Sequence, residues 1–156
     1  MPLNTCVFDA YGTLFDVNAA ARTAASEPNR EVFKEVWPSV SNIWRMKQLQ
    51  YTWLRSMTDS YTDFWSITQN SLDFALETHK LQDDLELKER LLALYWELQP
   101  YSEVSQILKY LKEKRIKTFN GLEMFIYQGQ KSFYLWNKIN PEIDDGLIDL
   151  LNLKLK

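Results

Sequence analysis

The feature that most constrains this chain is a stretch of 61 residues, from 39 to 99, that contains neither glycine nor proline. These two residues are the strongest breakers of regular structure, so an uninterrupted stretch of this length is most simply helical. The chain of 156 residues holds only four glycines, whereas average usage of about 7% would give roughly 11. The sequence therefore predicts a predominantly helical protein.

The composition excludes several classes of protein. With 18 Lys and Arg against 21 Asp and Glu, the net charge is −3 and the pI is near 5.2, which offers no electrostatic basis for binding a nucleic-acid backbone. Apolar residues make up 46% of the chain, which argues against disorder. No apolar run is long enough for a membrane span or a secretory signal. We expect a soluble cytoplasmic protein with no nucleic-acid or membrane partner.

Two short apolar segments predict β-strands. Residues 3–8 form a buried strand that ends at Asp9, and Cys6 within it is expected to be a small buried hydrophobe. Residues 116–118 begin a second strand. Between these strands the sequence predicts only helices. This order is the opening of an α/β fold with a helical cap inserted after the first strand.

The predicted helices are marked by caps and by apolar residues at helical spacing. One helix follows Pro38, which suits a first-turn position, and a second follows Asp63. Asp83 and Asp84 can cap a third helix, and Ser102 can cap a fourth. Beyond residue 118 the apolar residues follow neither the helical nor the strand period for long, and only residues 143–151 have helical or strand character.

Asp9 is the strongest candidate for chemistry. A carboxylate at the carboxyl end of a buried parallel strand lies where α/β sheets bind ligands. Gly12, the only glycine in the first 120 residues, indicates a turn whose backbone N–H groups can point toward such a ligand. The carboxylate can act as a nucleophile that forms a covalent ester, or it can simply cap the turn. The residues alone leave both interpretations open.

Three segments resemble one enzyme family. Residues 7–17, Val-Phe-Asp-Ala-Tyr-Gly-Thr-Leu-Phe-Asp-Val, closely resemble the first motif of the haloacid dehalogenase superfamily, and within it that of the (S)-2-haloacid dehalogenases. Residues 44–55, Trp-Arg-Met-Lys-Gln-Leu-Gln-Tyr-Thr-Trp-Leu-Arg, resemble the helical cap of the same enzymes, and residues 63–65 continue that likeness. Residues 100–112 resemble the segment that leads to the second motif. The resemblance covers residues 1–118.

The resemblance implies a reaction and three catalytic residues. Asp9 would be the nucleophile that displaces halide from C2 of a short 2-haloalkanoate, and water would hydrolyse the resulting ester to a 2-hydroxy acid. Thr13 would orient the Asp9 carboxylate. Arg45, on the cap, would receive the departing halide. The substrate would thus be a small molecule.

The resemblance also implies a substrate pocket and no cofactor. The residues expected to bind substrate are Tyr11, Met46, Leu49, Phe64 and Asn120, the last as a halide contact. Phosphatases of the superfamily carry a second Asp, near a Mg²⁺ ion, at the position of Tyr11. Without that carboxylate a divalent cation loses an oxygen ligand, so we expect carbon–halogen cleavage with no metal and no cofactor.

The implied fold is an incomplete Rossmann-like parallel sheet with a helical cap. Residues 1–16 and 100–156 would form the partial Rossmann-like core, and residues 17–99 the cap subdomain. In the family a Ser-Asn-Gly segment follows the cap, whereas here Phe119 stands in place of the serine. We interpret the chain as C-terminally truncated, with residues 119–142 altered and residues 143–151 a remnant of the next strand region.

Three interpretations of function remain open at this stage. The first is an (S)-2-haloacid dehalogenase, for which the resemblance implies a possible homodimer, because the full-length family often forms dimers. The second is a truncated, catalytically impaired homologue or a helical interaction module without turnover. The third is a phosphatase, which Tyr11 disfavours because a phosphate ester leaving group needs a proton donor.

Overall fold

The computed structural model describes residues 6–118 and 121–154, and the regular structure there is entirely helical. The helices are α1 Ala19–Ala25, α2 Glu31–Met57, α3 Phe64–Thr78, α4 Leu85–Trp96, α5 Ser102–Glu113, α6 Leu122–Asn137 and α7 Asp145–Lys154. The prediction of a predominantly helical chain is confirmed. Within the described residues, no helix combines the length and the apolar character that crossing a membrane requires.

The parallel sheet is absent from the described part of the chain, which contains two isolated backbone bridges and no strand. Residues 6–8 and 116–118, both predicted as strands, are irregular, and Cys6 is exposed rather than buried. The rest of the first predicted strand, residues 3–5, lies outside the described residues. A strand forms when its backbone N–H and C=O groups pair with those of a neighbouring strand, and the described part of the chain contains no such ladder.

Helix α2 begins earlier than the sequence predicts. The sequence places Pro38 in a first turn, but α2 starts at Glu31 and Pro38 lies inside it. A proline at this position has no N–H to donate to the carbonyl of Lys34. The helix continues because buried side chains on both sides of the proline, Phe33 and Val40, hold it against the core.

The helix caps follow the sequence prediction closely. Asp63 caps α3 by accepting a hydrogen bond from the Ser66 amide at 3.0 Å, and Asp84 caps α4 by accepting one from the Leu87 amide at 2.9 Å. Each carboxylate satisfies an amide that has no partner within its helix. Ser102, predicted as a cap, is instead the first helical residue of α5.

The chain divides into two compact units, Met1–Ile107 and Leu108–Lys156. In the first unit, α1 packs on α2 and α4, and α3 packs on α2 and α4. Helix α1 contributes alanines, whose small side chains let its neighbours approach closely. The buried cluster consists of Ala20, Ala21, Ala24, Ala25, Phe33, Val40, Trp44, Leu72, Ala75, Leu76, Leu87, Leu91 and Tyr95.

The second unit contains two further helices: α6, which the sequence did not predict, and α7, in a stretch for which the sequence left helix and strand both open. Helix α6 begins after Gly121, which takes a left-handed φ of 79°. Its apolar residues occur side by side in the chain, so they form no single stripe and give no helical period. Helix α7 occupies most of residues 143–151, so the interpretation of this stretch as a strand remnant is wrong.

Candidate active site

The segment after Asp9 folds into a tight loop. The carbonyl of Ala10 accepts hydrogen bonds from the amides of Leu14 and Phe15 at 2.9 and 2.8 Å. The Gly12 amide donates to the Phe15 carbonyl at 2.8 Å. Gly12 has a φ of 85° and open space where a Cβ would lie, so glycine is needed for its backbone conformation rather than for room. The predicted glycine-dependent turn is confirmed.

Backbone hydrogen bonds hold this loop against the far end of the long helical segment. The Asp16 amide donates to the Gln99 carbonyl at 2.9 Å, and the Tyr101 amide donates to the Leu14 carbonyl at 3.0 Å. The chain therefore enters and leaves residues 17–99 at adjacent points.

Asp16 fixes the loop to the helices, a role the sequence reasoning missed. Its carboxylate is buried and accepts hydrogen bonds from the Asn18 amide at 2.9 Å and from the Arg22 guanidinium at 2.6 Å. The Asn18 side-chain oxygen in turn accepts a hydrogen bond from the Ser41 hydroxyl on α2 at 2.7 Å. An Asp just ahead of an alanine-rich segment is a recognised helix-start signal and could have indicated this role.

The predicted nucleophile and its predicted orienting residue both lie on the surface of the loop. Asp9 and Thr13 are exposed. Within the described residues, neither side chain has a hydrogen-bond or ion-pair partner, so the carboxylate of Asp9 is open to a ligand. No hydrogen bond joins Thr13 to Asp9, and the orienting role of Thr13 stays a prediction.

The predicted cap residues lie on α2 and at the start of α3. Arg45 is half-buried on α2, and Leu49 follows it by one helical turn. Met46 and Leu49 are exposed, as is Phe64, the first residue of α3. No ion pair forms between Arg45 and Asp9 in the described part of the chain.

Two of the predicted pocket residues meet in one cavity. A pocket of about 270 Å³ is lined by Tyr11, Phe64, Trp65, Tyr95 and Trp96. Tyr11 comes from the loop after Asp9 and Phe64 from α3. Two of the segments that carry the family resemblance therefore contribute to this pocket. The rings of Trp65 and Trp96 pack edge to face, with centroids 5.1 Å apart. Met46 and Leu49 do not line the pocket.

A buried polar network includes Tyr95, one of the residues that line this pocket. The side-chain amide of Gln48 is almost fully buried and donates hydrogen bonds to the Thr68 hydroxyl at 3.0 Å and to the Tyr95 hydroxyl at 3.1 Å. The Trp44 indole N–H donates to the Thr68 carbonyl at 2.9 Å. The Tyr95 ring lies against that of Trp44, with centroids 5.0 Å apart. The network thus fixes the position of the Tyr95 ring.

The charge of Arg45 reaches the Tyr95 hydroxyl. Burial raises the pKa of Tyr95, and the neighbouring Tyr11 raises it further. The hydrogen bond from Gln48 and the positive charge of Arg45 both act to lower that pKa, but burial prevails. The Tyr95 hydroxyl therefore stays protonated at neutral pH and lies within electrostatic reach of Arg45.

Sequence reasoning missed Tyr95, Trp96 and Gln48, although each left a signal. Gln48 follows Trp44 by four residues, which puts a polar side chain on the apolar face of α2. Tyr95 and Trp96 end α4 next to the exit of the helical segment. An aromatic pair at that place could have indicated a pocket wall.

The remaining sequence predictions concern a halide contact and a metal. Asn120 lies outside the described residues, and so does Phe119. Among the residues that the structure does describe, no group of three or more His, Cys, Asp and Glu side chains is arranged to hold a metal ion.

The chain matches known proteins of one family. A family model for haloacid dehalogenase-like hydrolases matches residues 3–124. The chain is 42% identical over 110 residues to (S)-2-haloacid dehalogenase 4A of Burkholderia cepacia, an alignment that covers 70% of this chain and 46% of that protein. It is 42% identical over 111 residues to (S)-2-haloacid dehalogenase 1 of Pseudomonas sp. (strain CBS-3), covering 71% of this chain and 47% of that one.

Solved structures agree with these matches. A crystal structure of a dehalogenase superposes with a TM-score of 0.57 at 41% identity, over 71% of this chain and 47% of that chain. The L-2-haloacid dehalogenase of Xanthobacter autotrophicus with chloropropionic acid covalently bound gives a TM-score of 0.50 at 38% identity, over 66% and 40%. The chain spans about half the length of the curated relatives it matches. It belongs to the haloacid dehalogenase-like hydrolase family.

Proposed function

We propose that the chain is an (S)-2-haloacid dehalogenase that hydrolyses the carbon–halogen bond of short 2-haloalkanoic acids to 2-hydroxy acids. The observation that carries this proposal is the shared pocket, in which Tyr11 from the Asp9 loop meets Phe64 from α3. The names of the similar proteins support the same substrate class. These comparisons favour an enzyme over a helical interaction module.

The proposed reaction runs in two steps through Asp9. A carboxylate oxygen of Asp9 attacks C2 of the substrate, the carbon–halogen bond breaks, and its electron pair leaves with the halide. Water then attacks the carboxyl carbon of Asp9 and the bond from that carbon to the ester oxygen breaks. One proton of the water goes to the hydroxyl oxygen of the departing 2-hydroxy acid and the other to solvent, which restores the carboxylate. The exposed, unpartnered Asp9 carboxylate and the covalently bound ligand in the Xanthobacter autotrophicus structure support this route.

Arg45 is proposed to receive the halide. Negative charge grows on the halogen as the bond breaks, so a guanidinium placed there stabilises the transition state more than the ground state. Its position on α2 and its electrostatic effect on Tyr95, a pocket residue, support this role. Thr13 is proposed to orient the Asp9 carboxylate from the same loop.

Tyr11 favours this chemistry over phosphoryl transfer. A halide leaves without needing a proton, whereas a phosphate ester needs a general acid to protonate its leaving oxygen. Tyr11 stands where the phosphatases of the superfamily have that acid, and it is part of the aromatic pocket wall. We therefore propose a reaction that requires neither metal nor cofactor.

For the fold, we propose that residues 17–99 form the helical cap, with residues 1–16 and 100–156 in a partial Rossmann-like core that contains a parallel sheet. An inserted subdomain enters and leaves its host at adjacent points. The paired hydrogen bonds between residues 14–16 and 99–101 support this division. Hydrogen exchange would test it, since a core strand should protect the amides of residues 3–8.

Chloride release is the direct test of the proposed function. The purified chain is incubated with (S)-2-chloropropanoate, with and without EDTA, and free chloride is measured by ion chromatography. We expect chloride release that EDTA does not affect, that Asp9→Asn abolishes, and that Arg45→Gln reduces by about 10²–10³-fold. Asp59→Asn and Arg55→Gln are the matched controls. Phosphatase activity that depends on Mg²⁺, without chloride release, would contradict the proposal.

We also propose that the protein forms a homodimer and acts in the cytoplasm. Large apolar side chains remain exposed in the second unit, among them Phe125, Tyr127 and Trp136. Apolar surface of this kind is typical of surfaces that bind a partner. Sedimentation equilibrium should give the mass of a dimer, and a stable monodisperse monomer would contradict the homodimer. The single cysteine suits a reducing compartment.

A further inference from the structure

The hydrogen bonds around Gln48 show which of the Gln48, Thr68 and Tyr95 side chains donate and which accept. The Nε2 amide has two hydrogens, and they go to Thr68 Oγ1 and Tyr95 Oη. The Thr68 hydroxyl has already donated its own hydrogen to the Phe64 carbonyl at 2.8 Å, so toward Gln48 it can only accept. This fixes the orientation of the Gln48 amide, because the reversed amide would present an oxygen to a hydroxyl with no hydrogen left to give.

The Tyr95 hydroxyl still has its own hydrogen to donate. Tyr95 Oη accepts from Gln48, and among the described residues no acceptor takes its hydrogen. Tyr95 is a buried residue, with 9% of its surface exposed. Because Tyr95 lines a pocket, a hydroxyl with one hydrogen left to donate can bind an acceptor that enters there.

The surroundings of Tyr95 favour an anion as the acceptor. Tyr95 lines the pocket together with Tyr11, Phe64 and the tryptophan pair. The Arg45 charge reaches its hydroxyl, while burial keeps that hydroxyl protonated at neutral pH by raising its pKa. An aromatic wall, a positive charge and a free O–H donor together suit a small anion, since hydrogen bonds to ionised groups are stronger than those between neutral groups.

We propose that Tyr95 is an anion-binding residue that donates its hydroxyl hydrogen to a small monovalent anion in the pocket that it shares with Tyr11 and Phe64. The proposal rests on the proposed function, in which the pocket holds a 2-haloalkanoate. Two anions have the required chemistry, the departing halide and the carboxylate of the substrate. Gln48 is the positioning residue, because its side-chain amide donates to the Tyr95 hydroxyl oxygen and leaves the hydroxyl hydrogen for the anion.

Anion binding can be measured without catalysis. The full chain is labelled with ¹⁵N and titrated with sodium bromide or, separately, sodium propanoate, with sodium sulfate holding ionic strength constant. The indole N–H signals of Trp65 and Trp96 report on the pocket, and that of Trp136, an exposed residue of the second unit, is the internal control. A site on Tyr95 predicts saturable shifts at Trp65 and Trp96 and none at Trp136.

Two variants and one control test whether these shifts depend on the Tyr95 hydroxyl. Tyr95→Phe removes the donor and keeps the ring, and we expect it to weaken binding of the favoured anion by about tenfold, the loss of one hydrogen bond to an ion. Tyr61→Phe, at an exposed tyrosine, should leave the affinity unchanged. Gln48→Leu should weaken binding less than Tyr95→Phe does, because the hydroxyl remains but is no longer held.

Each outcome decides the proposal. Bromide shifts that Tyr95→Phe weakens assign the hydroxyl to the halide, and propanoate shifts with the same dependence assign it to the carboxylate. Equal affinities in the wild type and Tyr95→Phe, with normal circular dichroism, would overturn the role of Tyr95 while leaving the proposed dehalogenase intact. Absence of saturable binding in the wild type would also overturn it, and chloride release then decides the proposed function separately.

Discussion

Two regions of this chain are both helical, yet only one of them has an extended buried core. Helices α1 to α4 surround buried leucines, alanines and aromatic rings, of which Leu72, Leu87 and Leu91 are fully buried. In the unit Leu108–Lys156, Ile126 is the one buried apolar residue among those described, and Trp136 is 82% exposed. The difference shows that a segment can form helices without burying most of its apolar side chains.

Side-chain size and placement account for the difference. Five alanines of α1 are buried and allow close packing on α2 and α4. In α6, by contrast, bulky aromatic side chains surround the helix, and most of them remain exposed. A helix without a single apolar face cannot bury all of that surface against one neighbour. The stability of the described chain should therefore come mainly from α1 to α4.

The largest difference in stability is expected when one leucine in each region is replaced by alanine. Leu72→Ala, in the core, should lower the free energy of unfolding by about 2–5 kcal/mol, because it leaves a cavity among packed side chains. Leu135→Ala, at a half-exposed position of α6, should change it by less than about 0.5 kcal/mol. Urea unfolding followed by circular dichroism measures both. Equal losses would show that the second unit also contains a packed core.

The next test concerns the buried polar network. Gln48→Leu removes both hydrogen bonds to Thr68 and Tyr95 and leaves their oxygens without that donor. We expect a loss of about 1–3 kcal/mol in the free energy of unfolding. Gln50→Leu, at an exposed position on the same helix, is the control and should have little effect. A neutral Gln48→Leu would mean that the network contributes nothing to holding α2, α3 and α4 together.

Each region has an Asp that caps a helix, and replacing it should change stability by a smaller amount. Asp84 caps α4 in the first unit and also pairs with Arg30, and Asp144 accepts a hydrogen bond from the Leu147 amide at 2.8 Å in the second. Asp84→Ala should lower the stability of the main unfolding transition by about 1 kcal/mol. Asp144→Ala should leave that transition nearly unchanged, because α7 lies outside the core. The same urea curves report both effects, and equal effects would contradict the comparison.

The smallest expected effect is a pH dependence at Asp63. Hydrogen bonds from the Ser66 hydroxyl and amide lower the pKa of Asp63 below its ordinary value of 3.8. A carboxyl with a lowered pKa in the folded state adds stability that is present above its unfolded value and is lost as the pH falls through its folded value. Between about pH 5 and about pH 2 the wild type should thus lose more stability than Asp63→Asn, which keeps a cap but does not titrate. Parallel losses would contradict this role.

Sequence reasoning predicted the helical segment, its caps and the Gly12 turn, because caps and glycines act locally. It placed Pro38 at a helix start, since nothing local shows that buried residues on both sides carry a helix through a proline. It also missed Tyr95 and Gln48: each left a local signal, but the hydrogen bond between them depends on how α2, α3 and α4 come together. Of the predicted pocket residues, Tyr11 and Phe64 do line the pocket.

The proposed mechanism depends on an ester that forms on the Asp9 carboxylate and is then hydrolysed. To detect it, the chain is incubated with (S)-2-chloropropanoate in H₂¹⁸O and quenched in acid, and the mass of the proteolytic peptide that contains Asp9 is determined. We expect this peptide to gain either the propanoate ester or an ¹⁸O atom, since water attacks the carboxyl carbon of Asp9. An unchanged peptide, with or without chloride release, would rule out this mechanism.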